Sequence, residues 1–160
     1  MEVKVADKKP EILVIDDQVI VIRVMERMLN EYYRVISARS GEEGLSMARD
    51  NLPDLILLDM VMPGMSGIEV CQKLRADALT SKIPIIFVSA MDDRHNEESG
   101  FRAGAVDYIS KPPSPAIVNA RIKVHLENTR QVKFIEAIAN GYLSDAEEIR
   151  AAAKDLLDIN

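Results

Sequence analysis

Three four-residue runs, at positions 12–15, 55–58 and 85–88, are apolar throughout. A strand with one wet face alternates apolar and polar side chains. Unbroken runs therefore fit strands covered on both faces, as in parallel sheets flanked by helices on either side. Helix-like segments with short connections separate the runs, which is the order of an α/β doubly wound fold. Two further runs complete a five-stranded sheet: the partly polar 33–37, expected at an edge, and 106–109.

Local signals mark where the helices begin and end. Ser40 with Glu43 and Ser66 with Glu69 fit capping boxes, and Ser114-Pro115 sets a cap before a residue suited to the first helical position. Asp17 is expected to cap a helix carrying Ile22, Met25 and Leu29 on one stripe, despite the β-branched residues of 19–24. Gly104 is placed to end the helix bearing Phe101. Beyond Pro115 no further strand is read. A long helix runs to Phe134 and on toward Asn140-Gly141, a stop signal, and Ser144 with Glu147 opens a last helix through Leu157. Ala146, Ile149, Ala153 and Leu156 follow a 3-4-3 spacing too short to establish a helix seam, and Asn128 and Gln131 weaken any coiled-coil pattern on the longer helix.

Composition narrows the classes. With 160 residues, about one domain of roughly 100–200 residues is expected. The net charge of −6 argues against a nucleic-acid surface, which needs clustered Lys and Arg. Neither a signal peptide nor an apolar stretch of ~20 residues is read, so the expected location is cytoplasmic, away from membranes. Cys71 is the only cysteine and reads as a small hydrophobe on a helix, as the methionines read as core filling. His95 and His125 fall on helices without ligand partners at suitable spacing.

The chemistry gathers where the strands end. Asp16 and Asp17 follow the first run, Asp59 the second and Ser89 the third, while Lys111 lies just past the last. Carboxyl ends of parallel strands are where such sheets bind ligands. Crowded carboxylates repel, so one would hold a proton unless a cation neutralised them. With no His or Cys in the group the ligand set is all oxygen, which suits Mg²⁺. An accessible aspartate beside a metal and a lysine can attack phosphorus and become an acyl phosphate.

Ile15-Asp16-Asp17, the stretch from Leu58 to Gly67, Val88-Ser89-Ala90 and Tyr108-Ile109-Ser110-Lys111-Pro112 stand in one order. In these motifs the chain resembles the receiver domains of two-component response regulators, the CheY-like superfamily. The resemblance implies a flavodoxin-like sheet of order 2-1-3-4-5, with a receiver over 10–128 and a helical extension or linker over 129–160, toward an effector beyond. It implies Asp59 as phosphoacceptor, Asp16, Asp17, Asp59 and the Val61 carbonyl as metal ligands, and Mg²⁺ as cofactor with Mn²⁺ as a substitute. Ser89 and Lys111 would contact the phosphoryl group, Lys111-Pro112 would be cis, and Tyr108 would swing inward as Ser89 moves. A sensor histidine kinase or phosphotransfer protein would supply the phosphate. The fourth-helix, fifth-strand and fifth-helix face would carry output and a homodimer contact. Such a domain catalyses only its own phosphorylation and dephosphorylation.

Val61 and Met91, near the phosphate in that family, are apolar and cannot position an attacking water, which implies slow self-dephosphorylation. The stretch from Pro115 to Leu126, with a basic and apolar helix running on, also resembles segments joining receivers to cyclic-dinucleotide enzymes. Three other readings are weighed. A flavin-binding electron carrier would need a glycine-rich phosphate loop where Asp16-Asp17-Gln18 stands. An aspartate-nucleophile phosphatase would need an acid at Val61. A phosphorylation-independent scaffold would not need Asp59, Lys111 and the acidic pair.

Overall fold

The computed structural model describes residues 8–90 and 94–157, the side chains of 94–96 excepted. Strands and helices alternate along the first part of the chain: β1 (Glu11–Ile15), α1 (Val19–Leu29), β2 (Arg34–Ala38), α2 (Gly41–Asn51), β3 (Leu55–Leu58), α3 (Gly67–Ala76), β4 (Ile85–Ala90), α4 (Arg94–Ala103) and β5 (Asp107–Lys111). Two helices follow, α5 (Pro115–Ala139) and α6 (Ala146–Leu157). The strands are all parallel, in the order β2-β1-β3-β4-β5. This is the flavodoxin-like sheet that the motifs imply. Its strand order reverses beside β1, where β1 and β3 open a crevice at their carboxyl ends.

The apolar runs form the buried centre. Every residue of β1 and β3 is buried, as are Ile85, Ile86, Phe87 and Val88 of β4. Each large apolar side chain buried this way contributes about 1.5–3 kcal/mol. The partly polar β2 lies at one edge and β5 at the other, as expected for strands with less apolar surface. Met25, Met60 and Met62 are core residues, and so is Cys71, whose thiol donates to the Ala103 carbonyl at 3.4 Å.

Three caps differ in detail from expectation. Asp17 does not cap α1; Gln18 takes the cap position without a side-chain hydrogen bond, its N–H donating to Asp16 Oδ1 at 2.8 Å. The helix still forms because Ile22, Met25 and Leu29 bury one stripe against the sheet. At α2, Ser40 accepts from the Glu43 N–H, but the Glu43 carboxylate reaches the Arg39 N–H, one residue before the cap. The last helix is capped by Asp145, not Ser144, since Asp145 Oδ1 accepts from the Glu147 N–H at 2.7 Å. The box at α3 is complete, with Ser66 and Glu69 satisfying each other's backbone. Gly104 closes α4 in the left-handed region, at φ +106°.

The described residues divide into two compact units, one ending at Ile122 and the other beginning at Lys123. The first holds the sheet and the start of α5, which buries Val118 and Ile122. The second holds the rest of α5, a turn at Gly141 (φ +74°) and α6. Among the described residues no helix is long and apolar enough to cross a membrane.

Candidate functional site

Register alone brings two carboxylates side by side. Ile15 pairs with Leu58 across β1 and β3, so Asp16 and Asp59 leave adjacent strands at the same level. Backbone hydrogen bonds hold both: Asp59 N–H donates to the Ile15 carbonyl at 2.9 Å, and Asp16 N–H to that of Ala38 at 3.1 Å. Asp59 is 5% exposed and Asp16 2%. Asp17 stands beside them, and one carboxylate oxygen from each of the three lies within 4.8 Å of the others.

Lys111, at the end of β5, reaches into this group. Its Nζ is 2.8 Å from Asp16 Oδ2 and 3.4 Å from Asp59 Oδ1. Burial pushes the Asp59 carboxyl up; Lys111 pulls against it and the charge on Asp16 adds to it, leaving the group above its ordinary value. Burial acts to lower the Lys111 ammonium, but its hydrogen bond to Asp16 and the charge of Asp59 outweigh that and hold it above its ordinary value. Three carboxylates thus face one ammonium in a largely buried cleft. That imbalance fits a divalent cation, and a donor set made only of oxygen fits Mg²⁺.

Other motif residues frame the cleft. The Val61 N–H donates to the Asp59 carboxylate, while the Val61 side chain is 70% exposed. Ser89 is buried near the end of β4, though among the described contacts it makes no hydrogen bond to the acidic group. Tyr108 Oη donates to the Ala90 carbonyl at 3.2 Å, tying the ring to the strand that carries Ser89. The Lys111-Pro112 peptide is cis. Arg121 of α5 is ion-paired with Asp107 of β5, linking two elements of the expected output face. Met91 and the side chain of His95 lie outside the described residues; His125 is half-buried on α5.

One positioning residue escaped the sequence reading. A Cβ on Gly67 would sit 2.1 Å from the Asp59 carbonyl oxygen and 2.8 Å from Met60 Cα. Glycine lets the start of α3 press against the backbone that presents Asp59. The clue was its place just after the Ser66 cap, yet only tertiary packing shows the close approach.

Fold and site together define a doubly wound α/β protein with a buried acidic cleft served by a lysine. The response regulator receiver domain model matches residues 12–123, and the chain belongs to that family. The chain is 39% identical over 143 residues to a probable cyclic di-GMP phosphodiesterase of Vibrio cholerae, covering 89% of this chain and 32% of that protein. It is 42% identical over 113 residues to the response regulator PleD of Caulobacter vibrioides, covering 70% of this chain and 25% of that protein. Among solved structures, a response regulator from Chloroflexus aurantiacus superposes with a TM-score of 0.72 at 37% identity, covering 74% of this chain and 98% of that one. The chain therefore spans a quarter to a third of these two curated relatives.

Proposed function

We propose that Asp59 accepts a phosphoryl group from a sensor histidine kinase or phosphotransfer protein. The observation carrying this reading is the Lys111 ammonium held between Asp16 and Asp59, in a cleft where three carboxylates converge. Asp59 Oδ attacks phosphorus, the bond to the donor's leaving group breaks, and an acyl phosphate results. Lys111 and the Ser89 hydroxyl stabilise the equatorial oxygens as charge shifts onto them. Asp16, Asp17, Asp59 and the Val61 carbonyl would hold Mg²⁺, or Mn²⁺ in its place, which when bound neutralises phosphoryl charge. Gly67 and the Val61 N–H keep the nucleophile in position.

Phosphorylation then shifts a population. Ser89 moves toward the phosphate, Tyr108 follows inward, and the α4, β5 and α5 face changes shape for output or homodimer contact. Each ~1.4 kcal/mol of differential stabilisation changes the active-to-inactive ratio about tenfold. The receiver covers 10–128, and 129–160 acts as extension or linker. The match to the Vibrio protein runs over 143 residues, longer than the family match, which supports an output of the cyclic-dinucleotide class in the whole protein. Val61 offers no group to orient water, so the phosphate decays slowly.

Incubation with a small phosphodonor, read by intact mass, tests the reading. One phosphoryl group should add with Mg²⁺ present and none after chelation. Uptake that ignores the chelator would refute the metal role, and no uptake under any condition would favour the scaffold reading.

A further inference from the structure

Away from the acidic cleft, Arg75 near the end of α3 ties three separate backbone segments together. Its Nε donates to the Gly104 carbonyl at 2.9 Å, and one terminal nitrogen donates to the carbonyls of Ser81 at 3.1 Å and Ile83 at 2.8 Å. A guanidinium is a planar, rigid fork, so three acceptors together fix its place. Gly104 stands just past α4 at φ +106°, and a Cβ there would sit 3.0 Å from Arg75 Cγ and Nε. Beside it the Cys71 thiol donates to the Ala103 carbonyl at 3.4 Å. Within the turn itself, the Gly104 N–H donates to the Phe101 carbonyl at 3.0 Å and the Ala105 N–H to that of Gly100 at 3.1 Å, closing the helix. The carboxyl end of α4 is thereby fastened to α3.

One turn earlier, α4 meets the sheet through a contact of another kind. Gly100 is buried, and a Cβ there would sit 2.8 Å from Phe87 Cδ2 and 3.5 Å from Met60 Cε. Met60 directly follows Asp59, and Phe87 points to the same face of β4 as Ser89, two residues on. Apolar packing is non-directional, so this contact can push without holding.

We infer that α4 is a lever hinged at Ala103-Gly104, with Arg75 holding the hinge and Gly100 taking the load. The load rests on the phosphoryl reading above, in which Ser89 moves when Asp59 is modified; the hinge rests on the hydrogen bonds alone. Gly100 lies about 4.5 Å along the axis from Ala103 and Arg94 about 13.5 Å, at ~1.5 Å per residue, so a shift at Gly100 grows about threefold at the amino end. Hinges of this kind sit at the ends of elements, where a few residues absorb the change. The amino end of α4 therefore swings while its carboxyl end stays with α3.

Spin labels on the whole chain, read by double electron–electron resonance, test the lever. Asp50→Cys on α2 supplies a reference, paired with Glu97→Cys toward the amino end of α4 or with Arg102→Cys beside the hinge; all three positions are exposed, and the buried Cys71 stays unlabelled. After phosphodonor and Mg²⁺, with uptake checked by intact mass on the same samples, the distance to 97 should change by about 2 Å, the size of helix shifts in switching proteins, and the distance to 102 should hold. Arg75→Lys, which keeps the charge but loses the fork, should take up phosphate as the parent does, yet broaden the distance to 102 even before phosphodonor is added. Equal shifts at 97 and 102, or no shift at 97 in a sample whose mass shows the phosphoryl group, would overturn the lever. A distance to 102 in Arg75→Lys as narrow as in the parent would overturn the hinge. Absence of uptake in the parent would instead refute the phosphoryl reading and the load drawn from it, with the hinge still judged by Arg75→Lys.

Discussion

Both ends of the sheet bury carboxylate, yet at only one end do the buried carboxylates outnumber the cations beside them. At the amino end of β1, Glu11 is 8% exposed and its carboxylate meets Arg34 at 3.1 Å, while the Glu11 N–H donates to Asp54 Oδ2 at 2.8 Å. The one buried acid there is matched by one guanidinium, and Asp54 is exposed to solvent. At the carboxyl end, Asp16, Asp17 and Asp59 converge on the single ammonium of Lys111. The matched end ties strands together, and the unmatched end is left with the surplus negative charge on which the proposed cation binding and phosphoryl transfer rest. What separates them is the number of opposing charges in reach, since both ends bury carboxylates.

Substitutions at the two ends should therefore act in opposite ways. The largest effect is expected at Lys111: Lys111→Ala should slow phosphoryl uptake by about a hundredfold or more, because one preorganised charge is worth at least that in stabilising a transition state. Initial rates with a small phosphodonor measure it. Next, Mg²⁺ at about 100 times its dissociation constant should stabilise the parent chain by about 2.7 kcal/mol. Asp17→Asn should lose most of that gain, as thermal melts with and without metal would reveal.

A smaller effect carries the sign that matters most for the comparison. In metal-free buffer, Asp59→Asn should raise the melting midpoint by about 2–4 °C, the shift that ~1 kcal/mol produces in a protein of this size. The Asp59 carboxyl lies above its ordinary value, so its ionised form costs the folded state. That cost is present at neutral pH and is relieved as pH falls through the raised value. A lower midpoint for Asp59→Asn would break the contrast between the two ends. At the matched end Arg34→Ala should cost under about 1 kcal/mol, since the Arg34 side chain is 59% exposed and solvent screens the pair. Phosphoryl uptake should not change there.

Much of this was legible in the chain because it rests on local chemistry. The continuous apolar runs announced both-face burial, and in the structure β1 and β3 are covered throughout. The acids that follow them were readable as a cluster because parallel strands put their carboxyl ends on one side. The caps were readable only to within a residue: Asp145 took the place expected for Ser144, both being good cap residues. Asp17 read as a cap because its role there is indistinguishable in sequence from its place beside Asp16 and Asp59. Gly67 was hidden for another reason. Its necessity comes from the Asp59 carbonyl, eight positions earlier, pressing on the start of α3.

Whether Asp59 carries the phosphoryl group can be read by trapping with borohydride. Reduction of an aspartyl phosphate gives homoserine, so peptide mapping after phosphodonor, Mg²⁺ and borohydride should find homoserine at position 59 and nowhere else. Homoserine at Asp16, Asp17 or another acid, with Asp59 intact, would contradict the account.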